Sequence, residues 1–544
     1  MTKDSLVKGT LILTAAALIA RMLGAVQRIP LVSLLGDAGM GSYTIAFNIY
    51  SVLLVAATAG VPSALSKLVS ERTALGRYAE AERIYRAAAV FALFAGVLMT
   101  ALLFIAAPYY AVYVAQDPVS ATAIRAIAPA LLVFPLIAVM RGYFQGRQHM
   151  MPNGLSQIVE QILRLFTAVG LAYALLQLGY GQVWAIAGAS FGGVMGSVGA
   201  IAVMLYFAWK LRREDRAKQA ERDAKAKRAG TAGGQGNSAP ETGLTYRRIY
   251  AMIFRNSIPI VIFSMTVSLI YFIDSSIVIP LLKEREGADR AVEILGILGG
   301  RAQSLAGIPV ILAIALSQSV VPIISAAYAK GDREQLSSQT SRALQISILS
   351  GLPMVLAICA AALSINIFMF GNADGTPVII ALTLSAMFQI VMQTSGAILM
   401  GLGEMRKLVL FVAIGIAIKL AGSFLLAPWL GIYGIIAATA LCFAVMTRLN
   451  LTALRSKVPY VILGRKWFGV LAATFLAASA GVLTQWVLHT YAQWFGPRLS
   501  AGVHAGTAGT VTLVAYAFLL LSFRVMAKDD LQRLPAPVRK MLRL

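Results

Sequence analysis

The strongest constraint on this chain is a succession of long, nearly charge-free apolar segments. Fourteen can be marked off between charged or Gly/Pro-rich breaks, near 9–35, 43–68, 87–113, 122–141, 155–178, 182–209, 256–282, 296–327, 343–370, 377–400, 408–426, 432–447, 468–488 and 503–523. About 20 apolar residues suffice for a helix to cross bilayer hydrocarbon. Inside hydrocarbon every backbone polar group needs an internal partner, which leaves helices and closed barrels as spanning structures. A barrel would show short stretches of alternating polarity, whereas these runs are continuous. The expected fold is an all-α integral membrane bundle of about 14 transmembrane helices. Composition agrees: 58% of the 544 residues are hydrophobic and 13% charged, against about a quarter charged in a soluble domain. A soluble enzyme and a disordered chain are both excluded.

In a membrane protein the placement of the +24 net charge matters more than its total. Place the N-terminus, the even-to-odd connections and the C-terminal tail on one side. That side then holds most of the Lys and Arg, and the other side holds few. The positive-inside rule puts both termini in the cytoplasm, and no nucleic-acid partner is expected. Segment 210–255 is the one sizeable polar piece, with a net charge of +7. Its first part, LRREDRAKQAERDAKAKRAG, suits a charged extension of helix 6; TAGGQGNSAPETG reads as a flexible linker. The basic charge suits contact with anionic membrane lipids or an ordinary positive-inside loop joining two halves. The expected organisation is 1–209 (helices 1–6), 210–255 (basic linker), 256–447 (helices 7–12), and 448–544 (helices 13–14 and tail).

Three matches in the same order suggest an internal duplication. GVPSALSKLVSE resembles SVVPIISAAYAKGD, pairing Pro62 with Pro322. Gly146…Arg164-Leu165 matches Gly401…Lys419-Leu420 at a constant offset, and Tyr180-Gly181 and Tyr433-Gly434 follow each. Two pseudo-symmetric six-helix lobes plus two C-terminal helices around a central cavity is a transporter-like plan, with the substrate site at the repeat interface.

Charges inside the spans carry the functional signal. With helix-end residues such as Arg141, Glu160 and Arg164 counted with the connections, Arg21, Arg28, Arg125, Arg301 and Lys419 remain within the apolar runs, against a single acid, Asp274. An ionised group at mid-span costs about 2.5–3.5 kcal/mol on insertion scales, so such groups face protein or a wet cavity. Structural ion pairs would balance the signs. A surplus of cations instead suits an anionic load, and guanidinium matches phosphate by bidentate hydrogen bonds. Arg21 and Arg28, seven residues apart, share one helical face. Arg164, the repeat partner of Lys419, can reach inward from the end of helix 5. Arg125 is placed for snorkelling to the headgroups. Asp274, in YFIDSS, suits either a sodium or proton site or a partner for a cavity arginine; Ser275, Ser276 and Gln393 offer further oxygens.

Other features are structural. Cys359 and Cys442 sit in apolar runs, and His149, His489 and His504 are scattered, so no metal site or disulfide is expected. Gly188, Gly192 and Gly196 allow close helix packing. The acids of the short external connections (Asp37, Asp117, Glu284, Glu286, Asp289, Glu293 and Asp374) form no evident catalytic pair, which argues against an enzyme.

ARMLGAVQRIPLVSLLGDAGMGSYTIAFNIY resembles the first two helices of the polysaccharide-transport branch of the MOP superfamily, and within it the SpoVB/YtgP group related to the MurJ lipid II flippases. The resemblance extends over essentially the whole chain. It implies two six-helix lobes around a central cavity and alternation between inward- and outward-open states. The implied cargo is an undecaprenyl-pyrophosphate-linked saccharide, above all the peptidoglycan precursor lipid II, moved across the bacterial cytoplasmic membrane beside the cell-wall synthesis machinery; the alternatives are another lipid-linked polysaccharide unit or, on the same fold, cation-coupled drug export of the MATE kind, against which the surplus of cations argues. Arg21 matches the family's Arg-x-Leu-Gly pattern, here Arg21-Met22-Leu23-Gly24. Arg301, in GGRAQSLAGIP, matches its helix 8 arginine, and Arg28 falls one residue from its second helix 1 arginine. Asp274 resembles the acidic residue of a helix 7 sodium site, although helix 11 here lacks the family's Asn/Asp companions. Arg21, Arg28 and Arg301 are thus expected to hold pyrophosphate, with Lys419 and Arg164 assisting. No cofactor is expected, and transport would be driven by sodium, protons or the membrane potential.

Overall fold

The computed structural model describes residues 6–58, 60–228, 246–491, 496–523 and Val525. The described residues are helical throughout, without a strand. They fall into two compact units, Met1–Pro280 and Leu281–Leu544.

The first unit contains α1 (Leu6–Thr58), α2 (Val61–Ala74), α3 (Tyr78–Tyr109), α4 (Ser120–Ile127), α5 (Ala130–Gly146), α6 (Met151–Gln177), α7 (Gln182–Arg228) and most of α8 (Tyr246–Glu286). The second contains α9 (Ala288–Gly296), α10 (Gln303–Lys330), α11 (Arg333–Ala360), α12 (Ala362–Phe370), α13 (Thr376–Gly401), α14 (Met405–Leu430), α15 (Ile432–Arg455), α16 (Trp467–Tyr491) and α17 (Pro497–Ser522). Two π-helical turns, Tyr110–Val114 and Ile297–Ala302, lead out of α3 and into α10.

Thirteen described helical segments are long and apolar enough to cross a membrane. The first, Ala15–Ala74, is 60 residues, about 90 Å of helix and enough for two crossings. The fold is thus the all-α, multi-pass bundle expected from the apolar runs. The break between the first two runs is a kink at Gly36, whose φ of 66° and ψ of 179° suit only glycine. The Leu35 carbonyl at this kink accepts from Gln182 Nε2 at 2.6 Å. Other runs expected to be single helices are interrupted: at Gly60 (φ 80°) before α2, between α4 and α5, and at Ala361 between α11 and α12. Hydropathy is unchanged across these breaks, so composition alone does not reveal them.

Of the linker expected over 210–255, α7 takes in 210–228 and α8 begins at Tyr246; the rest lies outside the described residues. The α7 extension is fastened to the end of α5 by Arg147, which donates two bonds to the Asp215 carboxylate at 2.9 and 3.0 Å. Arg147 also lies over the rings of Tyr78 and Tyr143.

Side-chain distribution follows the bilayer. Val90, Phe94, Ile105, Phe468 and Phe475 are exposed apolar residues on helix surfaces, as lipid contact requires. The interior of the first unit includes a cluster from α2, α3 and α5 around Leu65, Val69 and Ile84. One cluster of the second joins α11, α13, α16 and α17 around Val470, Ala473 and Tyr516.

The glycine stripe on α7 packs against α6. A Cβ at Gly196 would lie 2.8 Å from the Glu160 carbonyl oxygen and 3.1 Å from Arg164 Cβ; one at Gly192 would lie 2.8 Å from the Arg164 carbonyl oxygen. Gly196→Val should therefore destabilise the first unit by about 1–3 kcal/mol, the usual range for overpacking. Thermal unfolding in detergent measures this, and an unchanged midpoint would show that the two helices do not depend on this approach.

Candidate functional site

The first unit gathers three of the expected cations. Arg21 and Arg28 lie on α1, and Arg164 on α6. The helices meet where a Cβ at Gly24 would be 3.6 Å from Gln161 Oε1. Arg21 is half-buried and makes no hydrogen bond or ion pair with the described residues. Arg28 stands with its guanidinium carbon 5.6 Å from the Phe47 ring centroid. Beside it, Gln27 Nε2 donates to Tyr43 Oη at 3.4 Å, and Tyr43 lies within the field of both Arg28 and Arg164.

Arg164 is buried and joined to a carboxylate. Its Nη2 lies 3.2 Å from Glu160 Oε1 one turn earlier, while Glu160 Oε2 takes Arg141 Nη2 of α5 at 3.0 Å. Arg141 in turn donates from Nε to Ser156 Oγ at 2.9 Å, and its carbonyl accepts from Asn153 Nδ2 at 2.9 Å. Two guanidinium groups thus share one buried carboxylate, leaving one positive charge in excess. Arg164 and the Tyr50 hydroxyl interact electrostatically without a well-aligned hydrogen bond. Arg164 Nε and Tyr50 Oη both stay buried and unsatisfied among the described residues. Buried polar groups without well-aligned bonds are costly.

Asp274 of α8 is 2% exposed. Its helix is fastened to α1 beyond the kink: Asn48 Nδ2 donates to the Tyr271 carbonyl at 3.0 Å, and the Ser51 and Ser268 hydroxyls stand 3.4 Å apart. Ser276 shares a 2.7 Å hydroxyl bond with Tyr110, whose ring stacks on Phe272. Tyr271 also lies within the field of Arg28. Ser275 and Ser276 both donate to the Phe272 carbonyl, at 2.9 and 2.8 Å.

The remaining two cations, in the second unit, have separate surroundings. Arg301 lies in the π-helical turn before α10, 3% exposed. Its Nη1 donates to Asn366 Oδ1 at 3.4 Å and to the Asp374 carbonyl at 3.3 Å, and its guanidinium carbon is 5.6 Å from the Phe370 ring centroid. It thus holds the connection between α12 and α13, nearer a helix end than its place in an apolar run suggests. Lys419 of α14 is fully buried, and its Nζ donates to the Ile435 carbonyl of α15 at 2.9 Å.

Arg125 is exposed on α4. Its Nε reaches the Phe104 carbonyl at 3.5 Å, and its guanidinium lies over the Phe104 ring. It stands apart from the other cations, on an exposed helix surface. Sequence reasoning missed Glu160, Tyr43, Phe47 and Tyr50 as neighbours of the cations, and Asn48 as the tie between α1 and α8. The signal available was the recurrence of polar and aromatic residues at three- and four-residue intervals in GSYTIAFNIYS. Among the described residues no three His, Cys, Asp or Glu gather as a metal site.

Two consequences can be measured. Glu160→Gln leaves Arg141 and Arg164 facing each other across an uncharged amide, and breaking a buried pair this way costs about 3–5 kcal/mol. The variant should melt well below wild type, and Glu160→Gln/Arg164→Gln should recover part of the loss; no recovery would mean that the pair is not coupled. The second concerns Asp374, whose carboxylate accepts Arg290 Nη2 at 3.0 Å. That bond holds it below the usual carboxylate range, despite an opposing effect of burial. The Asp374 contribution is present above the carboxylate's unfolded pKa and is lost as pH falls through the lower folded value. Asp374→Asn should therefore speed amide exchange at 371–375 at neutral pH, and an unchanged exchange rate would show that the Arg290 bond does not hold this connection.

Residues 6–328 match the family described as Polysaccharide biosynthesis protein. The chain is 26% identical to the Lipid II flippase MurJ of Bacillus subtilis (strain 168), with 99% of each chain covered. It is 25% identical to Stage V sporulation protein B of the same organism, with 100% of each covered. Among solved structures, an inward-facing multidrug resistance MATE family transporter of the MOP superfamily aligns with a TM-score of 0.61 at 14% identity, covering 83% of this chain and 100% of that one. A MOP superfamily transporter from Pyrococcus furiosus aligns with a TM-score of 0.57 at 14% identity, covering 83% and 95%. These structures share the fold; the match over 6–328, more than half the chain, makes this protein a member of the polysaccharide biosynthesis protein family.

Proposed function

We propose that this protein is a flippase for an anionic, polyprenyl-pyrophosphate-linked saccharide in a bacterial cytoplasmic membrane, and that its cargo is the peptidoglycan precursor lipid II. The supporting observation is the unbalanced cation cluster of the first unit. Arg21 has no hydrogen bond or ion pair among the described residues, and Arg141 and Arg164 share the one carboxylate of Glu160. Structural charges in a membrane interior are paired, and Glu160 is the carboxylate joined to Arg164 and Arg141. Pyrophosphate would bring oxygens at bidentate spacing and negative charge to Arg21 and to the positive charge that Glu160 leaves in excess. The full-length relative named as a lipid II flippase points to the same cargo class.

The chain's own residues would act as follows. Arg21 and Arg28 take the pyrophosphate, and Arg164 turns from Glu160 toward the arriving anion. Tyr43, Tyr50 and Gln27 line the polar path. Arg301 and Lys419 act in the second unit, Arg301 by holding the α12–α13 connection. Asp274 is the proposed sodium- or proton-coupling residue; alternatively, the membrane potential acts on the surplus charge at about 2.3 kcal/mol per charge per 100 mV. Both termini face the cytoplasm by the positive-inside argument. The protein is a transporter and not an enzyme.

The test measures lipid II at the outer face of cells in which this protein is the sole flippase. Arg21→Ala and Arg28→Ala should each lower exposure about 10–100-fold, the worth of a lost charge-assisted bond, while membrane insertion is unchanged. Arg301→Ala should lose activity through a loosened connection, and Arg301→Lys should restore part of it. If outer lipid II is normal in Arg21→Ala and Arg28→Ala, the cluster does not hold the cargo. If depleting wild type leaves outer lipid II unchanged, lipid II is not the cargo.

A further inference from the structure

A groove in the second unit lies apart from every cation discussed above. It runs between α13 and the last turns of α15, with a volume of about 630 Å³. Phe388, Ala444 and Leu451 line its apolar part, and Arg448, Arg455 and Tyr460 its polar end. The apolar part continues along the helix surfaces, where Leu384, Phe388 and Leu441 are 49%, 45% and 48% exposed. On α13, Leu384 and Phe388 are one turn apart; on α15, Leu441, Ala444, Arg448, Leu451 and Arg455 recur at three- and four-residue steps. One continuous face therefore passes from bare hydrocarbon to two arginines at the end of a membrane span.

The polar end is basic, with no Asp or Glu in its lining. Arg448 and Arg455 are exposed, and neither guanidinium has a hydrogen bond or ion pair among the described residues. No Asp or Glu occurs from Arg448 to Lys466. The nearby carboxylate of Glu404, at the start of α14, is engaged by Lys407 and Lys457. The hydroxyl protons are also used. Thr447 donates to the Phe388 carbonyl, Thr452 to Arg448, Ser456 to Ala453, and Tyr460 to Leu451. The guanidinium groups are the donors left for a ligand. They stand two helical turns apart, about 10 Å along the axis, and flexible side chains of that spacing can close on one phosphate.

We infer that this groove is a binding site for an anionic phosphoglycerolipid of the leaflet at the basic end of α15. The headgroup phosphate lies between Arg448 and Arg455, and an acyl chain lies along Phe388, Leu384 and Leu441. A soluble anion would use the arginines but leave the apolar face bare. A neutral lipid would use that face but leave the arginines without a partner. A charged lipid matches both. This inference is independent of the flippase reading and of its cargo.

The test is native mass spectrometry of the full-length protein in detergent, titrated with dioleoyl-phosphatidylglycerol or dioleoyl-phosphatidylcholine. Wild type should hold one phosphatidylglycerol more than Arg448→Gln/Arg455→Gln, with the affinity of that site roughly thirtyfold lower in the variant. Phosphatidylcholine adducts should not differ between them. Ala444→Trp fills the groove and keeps both arginines, and it too should lose the extra lipid. If the double variant fails to fold, this second variant decides the question. Equal phosphatidylglycerol counts in wild type and a folded variant would overturn the site, leaving two ordinary positive-inside arginines. Equal retention of phosphatidylcholine at the site would overturn the headgroup selectivity. Displacement of the bound lipid by inorganic phosphate alone would show a free-anion site and overturn the lipid assignment.

Discussion

Carrying a guanidinium into a membrane requires enclosing it in protein, and much of the first unit's architecture follows from meeting that requirement. Arg164 cannot face lipid, so α6 must bury it against α7. Burial at that depth needs α7 to come close, and Gly192 and Gly196 allow this by leaving the α6 carbonyls of Arg164 and Glu160 in direct contact with the α7 backbone. Charge and glycine stripe are two parts of one device. Low local dielectric strengthens the bonds from Glu160 to Arg141 and Arg164, and makes the unsatisfied Nε of Arg164 correspondingly expensive.

The kink at Gly36 serves the same cluster. A straight helix from Leu6 to Thr58 would carry Arg21 and Arg28 far from Tyr43 and Tyr50 along a single axis. Folding back at a left-handed glycine brings Tyr43 and Phe47, from beyond the kink, against Gln27 and Arg28, from before it. The returning segment also reaches α8 through Asn48 and Ser51, which places Asp274 on a helix already fastened to the basic cluster. Residues 20–50, from two successive apolar runs, thus pack against each other as one folded element.

How much of this is legible in the chain depends on the property concerned. Hydropathy is a property of each residue, so the spans and the surplus of buried cations can be read directly. So can the gap around Gly36, where the apolar pattern is interrupted. The breaks at Gly60 and Ala361 are not readable, because the residues on either side are equally apolar. Pairing is a property of the fold. Arg141, Glu160 and Arg164 look like helix-end charges, and only the packing of α5 on α6 makes them a buried triad. Arg301 shows the same limit: its depth is set by the short α9 and the π-helical turn before it, and its guanidinium ends at the α12–α13 connection.

The offset of 255 residues that aligns Arg164 with Lys419 also aligns Glu160 with Gly415. The comparison explains why two matching cations have different surroundings. In the first half the carboxylate one turn before the cation neutralises it and draws it back along its own helix. In the second half that carboxylate is absent. A Cβ at Gly415 would lie 2.5 Å from Met446 Sδ, so the space is filled by an apolar side chain from α15. Lys419 instead extends toward the α14–α15 turn and donates to the Ile435 carbonyl, which also accepts from Thr439 Oγ1 at 3.1 Å. A carbonyl dipole fixes an ammonium but does not cancel its charge. An incoming anion can take the place of a carboxylate on an arginine, because both bind the same guanidinium edge; it has no comparable way to replace a backbone carbonyl deep between two packed helices. If the two halves arose by duplication, the first has kept an exchangeable cation and the second a fixed one. On the proposed function, that asymmetry would place anion binding in the first unit, with Lys419 held between α14 and α15 in the second.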